Sequence, residues 1–151
     1  MKIQIENRQA RFKIDKRKIR GTVAMIFKIL DCADREISIV FTDDETIREL
    51  NKQYLGRDKT TNVISFPLQE GEYANINPLL LGDVVISIDT AQKDARKGNL
   101  RPEEEIDFLL IHGILHLLGY NHEGTSRKEA LKMKRKEKEI FGKLNRNKVV
   151  I

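Results

Sequence analysis

Phe108-Leu109-Leu110-Ile111-His112-Gly113-Ile114-Leu115-His116-Leu117-Leu118-Gly119-Tyr120-Asn121-His122 holds all three histidines of the chain. An α-helix turns about 100° per residue, so His112 and His116, four apart, project the same way one turn apart. On a wheel started at Ile106, one sector collects Leu110, Gly113, Ile114 and Leu117. The next collects Phe108, Ile111, Leu115 and Leu118, and the remaining sector holds Glu105, His112 and His116. A helix that is apolar nearly all round is a buried one. The stretch therefore predicts a central helix whose polar stripe carries imidazoles. Gly119 supplies a left-handed stop. The chain then reverses through Tyr120 and Asn121 and returns His122 toward the other two.

Three neutral imidazoles converging from a helix and the turn after it suit a tetrahedral metal with one open position. Zinc is the default for nitrogen ligands, one ion per chain, and it acidifies a bound water. A satisfied cluster of core histidines is the competing reading, and the third histidine after a glycine stop weighs against it. The spacing is also that of a class of zinc proteases, which carry Glu directly after the first histidine as general base. Here that position is Gly113, which argues against peptide hydrolysis.

The segment His112-Gly113-Ile114-Leu115-His116-Leu117-Leu118-Gly119-Tyr120-Asn121-His122 resembles the signature of the YbeY-type family, bacterial metal-dependent endoribonucleases of ribosomal RNA maturation. Two further segments support the resemblance. Arg57 precedes Thr61-Asn62-Val63-Ile64-Ser65-Phe66, similar to the family's second motif, and Leu81-Gly82-Asp83-Val84-Val85-Ile86-Ser87 is similar to a third. The likeness runs from about Phe41 to Phe141. It implies a zinc-dependent, single-strand-specific endoribonuclease acting on ribosomal RNA precursors, with the small ribosomal subunit as partner. It implies His112, His116 and His122 as metal ligands, with His112 and His116 counted in the catalytic centre. It also implies that Arg57 lies near the metal, where a guanidinium would offset charge building on phosphate. Tyr120 is read as packing in the turn. Two positions depart from the family pattern, Asn62 and Asn121, each standing where Asp is usual. Each keeps a hydrogen-bonding oxygen and loses a negative charge. A metallopeptidase on the same zinc frame and a non-catalytic ribosome- or RNA-binding protein with a structural metal are the alternatives.

Outward from the histidine helix, the chain reads as one domain over residues 1–151. Residues 2–6 alternate as a strand, with 11–14 extending or pairing with it. Asp15 caps a helix over 16–31, and Glu36 to Phe41 is a strand. Thr42 and Glu45 form a capping box opening a helix over 43–54, packed through Ile47, Leu50 and Tyr54 and ended by Gly56. A β-rich run stops at Pro67. Residues 69–79 read as an exposed loop, a flap over the site. Leu79 to Ile88 is a central strand, in which Asp83 is either a partner that orients a ligand histidine or a turn residue. Asp89 caps a polar helix over 90–98 stopped by Gly98-Asn99. Pro102 and three glutamates open the histidine helix, with Glu105 as a surface residue complementing its dipole. Residues 126–142 form a last helix with Ala130, Met133, Ile140 and Phe141 inward. Its outer face is basic, and Arg127, Lys128, Lys134 and Arg135 are the candidate RNA contacts. Residues 143–151 read as a disordered basic tail. The expected fold is α+β, a small mixed sheet of about four strands covered by helices.

The chain has 151 residues, 40% hydrophobic and 34% charged, with a formal net charge of +5. That composition is globular, and the basic excess favours anionic partners. One cysteine, Cys32, permits no intrachain disulfide, fits a reducing cytoplasm and offers packing rather than reactivity. No apolar run is long enough for a signal peptide or a membrane span, so neither a membrane nor a disulfide-linked partner is expected.

Overall fold

The computed structural model describes residues 2–68, 79–120 and 126–149, with side chains of the last segment to residue 145. The loop over 69–78 and the turn bearing Asn121 and His122 lie outside the described residues. The elements are β1 (Ile3–Asn7), α1 (Lys16–Ile29), β2 (Glu36–Thr42), α2 (Asp44–Leu55), β3 (Val63–Pro67), β4 (Leu80–Ser87), α3 (Ile88–Lys97), α4 (Pro102–Leu117) and α5 (Arg127–Val149). The strands form one mixed sheet in the order β1-β2-β4-β3. β1 and β2 run parallel, as do β2 and β4, while β3 lies antiparallel on the β4 edge. This is the α+β architecture expected.

Strand alternation gives the sheet two apolar faces. Ile37, Ile39, Phe41, Val84 and Ile86 join the main core with Val23, Ile26 and Phe27 of α1, most of α4, and Met133, Ile140 and Leu144 of α5. Ile64 and Val85, with Val40 and Phe66, face the other way and pack against Ile47 and Leu50 of α2. Helix α4 is buried at nearly every position from Glu105 to Leu117.

Several local expectations are corrected. Residues 11–14 form no strand. The Gln9 side chain instead accepts from the amides of Arg11 and Phe12, and Phe12 and Ile14 pack on the core. The cap of α2 is Asp43, whose Oδ1 accepts from Thr46 N at 2.8 Å. Thr42 finishes β2, and among the described residues its buried hydroxyl has no hydrogen-bond partner. Ser87, not Asp89, caps α3. Asp89 instead accepts from Asp44 N at 2.9 Å and pairs with Arg11. Asp44 in turn gathers the hydroxyls of Ser87 at 2.6 Å and Thr60 at 3.1 Å. Burial pushes its carboxyl up, but these hydrogen bonds outweigh burial and hold it below the usual range. Tyr54 is 61% exposed and stands edge to face with Phe66. Helix α5 continues through residues 143–149 instead of ending at 142, because Leu144 extends its buried stripe.

The two candidate caps make different demands on adjacent side chains. Asp43→Ala should cost about 1 kcal/mol through loss of the cap. Thr42→Val, which removes an unpaired buried hydroxyl at constant shape, should be neutral or stabilising by about 1 kcal/mol. Urea unfolding of both variants checks this. Destabilisation by Thr42→Val would restore the threonine as the cap.

Candidate metal centre

Helix α4 presents two half-buried residues in its otherwise buried last turns, His112 and His116. Their rings meet edge to face with centroids 4.6 Å apart. The two Nε2 atoms face each other at 3.1 Å. Two nitrogens bound to one tetrahedral zinc at about 2.0–2.1 Å stand about 3.3 Å apart, so the pair already has the spacing of shared ligands. Nδ1 of His112 is engaged on its other side by Glu137 Oε1 of α5 at 2.7 Å. A carboxylate oxygen accepts, so in a neutral ring paired this way Nδ1 would carry the proton and Nε2 would keep its lone pair for a metal. The donor chemistry therefore fits a divalent transition ion. Among the described residues no group of three or more metal-binding side chains converges, and the expected third ligand, His122, lies outside them.

The last turn is held by its own backbone. Gly119 takes φ +98°, its amide donates to His116 O at 3.0 Å, and Tyr120 N donates to Leu115 O at 3.0 Å. These two bonds close a Schellman motif. Tyr120 packs on the core, as expected of a turn residue.

Gly113 sets the distance of the helix from the sheet. A Cβ there would stand 2.7 Å from Val84 Cγ1 and 3.3 Å from Ser65 Oγ, and Ser65 donates to Gly113 O at 3.0 Å. The position that bears a glutamate in the protease class is thus a contact surface, with no room for a side chain. Asp83 is exposed and one residue from Val84, hence on the sheet face away from α4. The carboxylate on the histidine is Glu137 of α5. Its signal was the spacing Met133, Glu137, Ile140, Leu144, an apolar stripe with one acid in it.

Asn62 Nδ2 donates to Asp94 on α3 at 3.1 Å. An amide can donate to that carboxylate and an ionised aspartate cannot, so the departure from the family pattern serves the β3–α3 contact. Glu105 is buried, not a surface residue, and burial followed by the charge of Asp94 pushes its carboxyl up. Arg57 stands in the turn closing α2, where Gly56 takes φ +69° and Arg57 N donates to Asn51 O at 3.2 Å. The Asn51 side chain also donates to Lys59 O at 2.9 Å, so a buried asparagine pins this loop. The Arg57 side chain is exposed, as are Arg127, Lys128, Lys134 and Arg135 on α5. Burial pushes the Cys32 thiol up, consistent with packing over reactivity.

A four-stranded mixed sheet carrying a buried helix with paired imidazoles defines a compact α+β protein with a candidate metal centre. The family model for Endoribonuclease YbeY matches residues 4–145, and the chain belongs to that family. A protein named Endoribonuclease YbeY from Syntrophus aciditrophicus is 52% identical over 141 residues, 93% of this chain and 88% of its own length. Proteins of the same name from Geobacter metallireducens and Aquifex aeolicus are 45% and 42% identical, covering 99% and 89% of this chain and 100% and 87% of their own. A solution structure from Thermotoga maritima shares the fold with a TM-score of 0.61 at 24% identity, covering 96% of this chain and 93% of that one. The chain is accordingly an endoribonuclease, a hydrolase of phosphodiester bonds in RNA. Among the described residues no helix is long and apolar enough to cross a membrane.

Two outcomes follow. Gly113→Ala should lower stability by about 1–3 kcal/mol, because α4 must lift from Val84 or Val84 must leave its rotamer; chemical denaturation measures it. Glu105 has a folded pKa raised from 4.5, so its contribution is fully present below pH 4.5 and is lost as pH rises through the folded value. Glu105→Gln should therefore raise the melting temperature at pH 7 relative to the native chain, with the difference vanishing below pH 4.5.

Proposed function

We propose that this chain is a zinc-dependent, single-strand-specific endoribonuclease that matures ribosomal RNA precursors in the cytoplasm, acting on the small ribosomal subunit. The observation that carries the metal reading is the His112–His116 pair, with facing Nε2 atoms 3.1 Å apart. His112, His116 and His122 would hold one zinc ion. Bound there, zinc would supply a Lewis acid for phosphate oxygen and an acidified water. The protein's own part is to hold the imidazoles in place and to bring cationic groups to the RNA. Arg57, on its pinned loop, is assigned to the phosphate under attack, where a guanidinium can fork two oxygens and stays charged at any working pH. The exposed cations Arg127, Lys128, Lys134 and Arg135 would follow the phosphate backbone of a single strand. The whole chain, residues 1–151, acts as one endoribonuclease domain. The closed position at Gly113 supports this reading over peptide hydrolysis.

The test is cleavage of end-labelled single-stranded and duplex RNA by the native chain, a chelator-treated sample, one with zinc restored, and His116→Ala. Single-strand cleavage should disappear with chelator or mutation and return with zinc in the native chain only. Arg57→Ala should lose at least ten-fold in turnover with its metal content intact. Cleavage that survives complete metal removal would sink the zinc mechanism.

A further inference from the structure

Glu137 is 6% exposed and occupies an inward position of α5, between Met133 on one side and Ile140 and Leu144 on the other. A leucine there would complete the apolar stripe, and burying a carboxylate is unfavourable unless it is paired. Among the described residues the hydrogen-bond partner of Glu137 is Nδ1 of His112, at 2.7 Å and 25 positions away in the chain. The His112 ring is 18% exposed, and Glu137 lies behind it. An imidazole that donates from one nitrogen to a carboxylate is held in one tautomer and one orientation, and its other nitrogen becomes a better donor to a metal. Here that other nitrogen is the Nε2 facing His116 at 3.1 Å.

We propose that Glu137 is a positioning residue of the metal centre: it locks His112 in the Nδ1–H tautomer with Nε2 toward His116, and so sets the affinity of the site for zinc. This rests on the reading of His112 as a ligand. It assigns to α5 a second task beside its basic outer face. The helix that carries the candidate RNA contacts also holds a ligand in place, through one buried carboxylate.

Glu137→Leu and Glu137→Gln separate this role from simple anchoring of α5. The leucine variant completes the stripe, so its metal-free melting temperature should equal or exceed that of the native chain. Its zinc affinity, read by competition with a chromophoric chelator, should fall about 10–100-fold. Glu137→Gln retains an acceptor oxygen and should recover part of that loss. Long-range ¹⁵N–¹H imidazole spectra of the metal-free proteins at pH 8 should show His112 as a single Nδ1–H tautomer in the native chain and as a mixture in Glu137→Leu. A folded leucine variant with native zinc affinity and an unchanged tautomer overturns the proposal. If the leucine variant does not fold, native affinity in Glu137→Gln overturns it alone. A native chain without zinc affinity would bring down the metal reading itself and the affinity part of this inference, while the tautomer comparison would still decide whether Glu137 orients His112.

Discussion

The close approach of α4 to the β3–β4 edge governs most of what lies around it. Gly113 lets the helix backbone reach Val84, and the Ser65 hydroxyl clamps the Gly113 carbonyl from the neighbouring strand. That seat fixes the rotation of α4 about its axis. His112, one residue away, is turned off the sheet and toward α5, and His116 follows one turn later. The same contact closes the position from which a protease-type base would act. Helix placement and reaction class thus share one cause, a missing Cβ.

The site is then assembled from both sides of α4. The sheet sets its height, α5 sets the tautomer of His112 through Glu137, and the Schellman turn at Gly119 holds the carbonyl of His116. The buried polar groups nearby are paired in the same economical way. Asn51 ties the Arg57 loop to α2, Asn62 ties β3 to α3, and Asp44 collects hydroxyls from the start of α3 and the approach to β3. The bonds of Asn62 and Asp44 join elements distant in sequence and hold the loop between α2 and β3 against α3 and the end of β4.

Legibility in the sequence followed the range of the interaction. The burial of α4, the strands at Glu36 to Phe41 and at the Val84 segment, the glycine stops and the family itself could be read from periodicity and short motifs, because each depends on residues within a turn or two of one another. The errors fell where a polar side chain had more than one place to bond. Thr42-Asp43-Asp44-Glu45 offers two caps, and Asp43 took the role because Thr42 was drawn into β2. Asp89 was read as a local cap, yet Arg11 and the amide of Asp44 hold it from other parts of the chain. Glu105 lies at the start of a helix with a favourable dipole, but α3 covers it.

The amino-acid sequence by itself determined the helix of histidines and its burial, since these rest on spacing along one segment, and it carried the motifs by which the family is recognised. Only the tertiary structure decided which carboxylate backs His112. The sequence offered Asp83 for that role and the structure gives it to Glu137, because Asp83 occupies the sheet face away from α4 and α5 packs across α4. Neither is encoded in local spacing, because a hydrogen bond between residues 112 and 137 exists only once two helices have met.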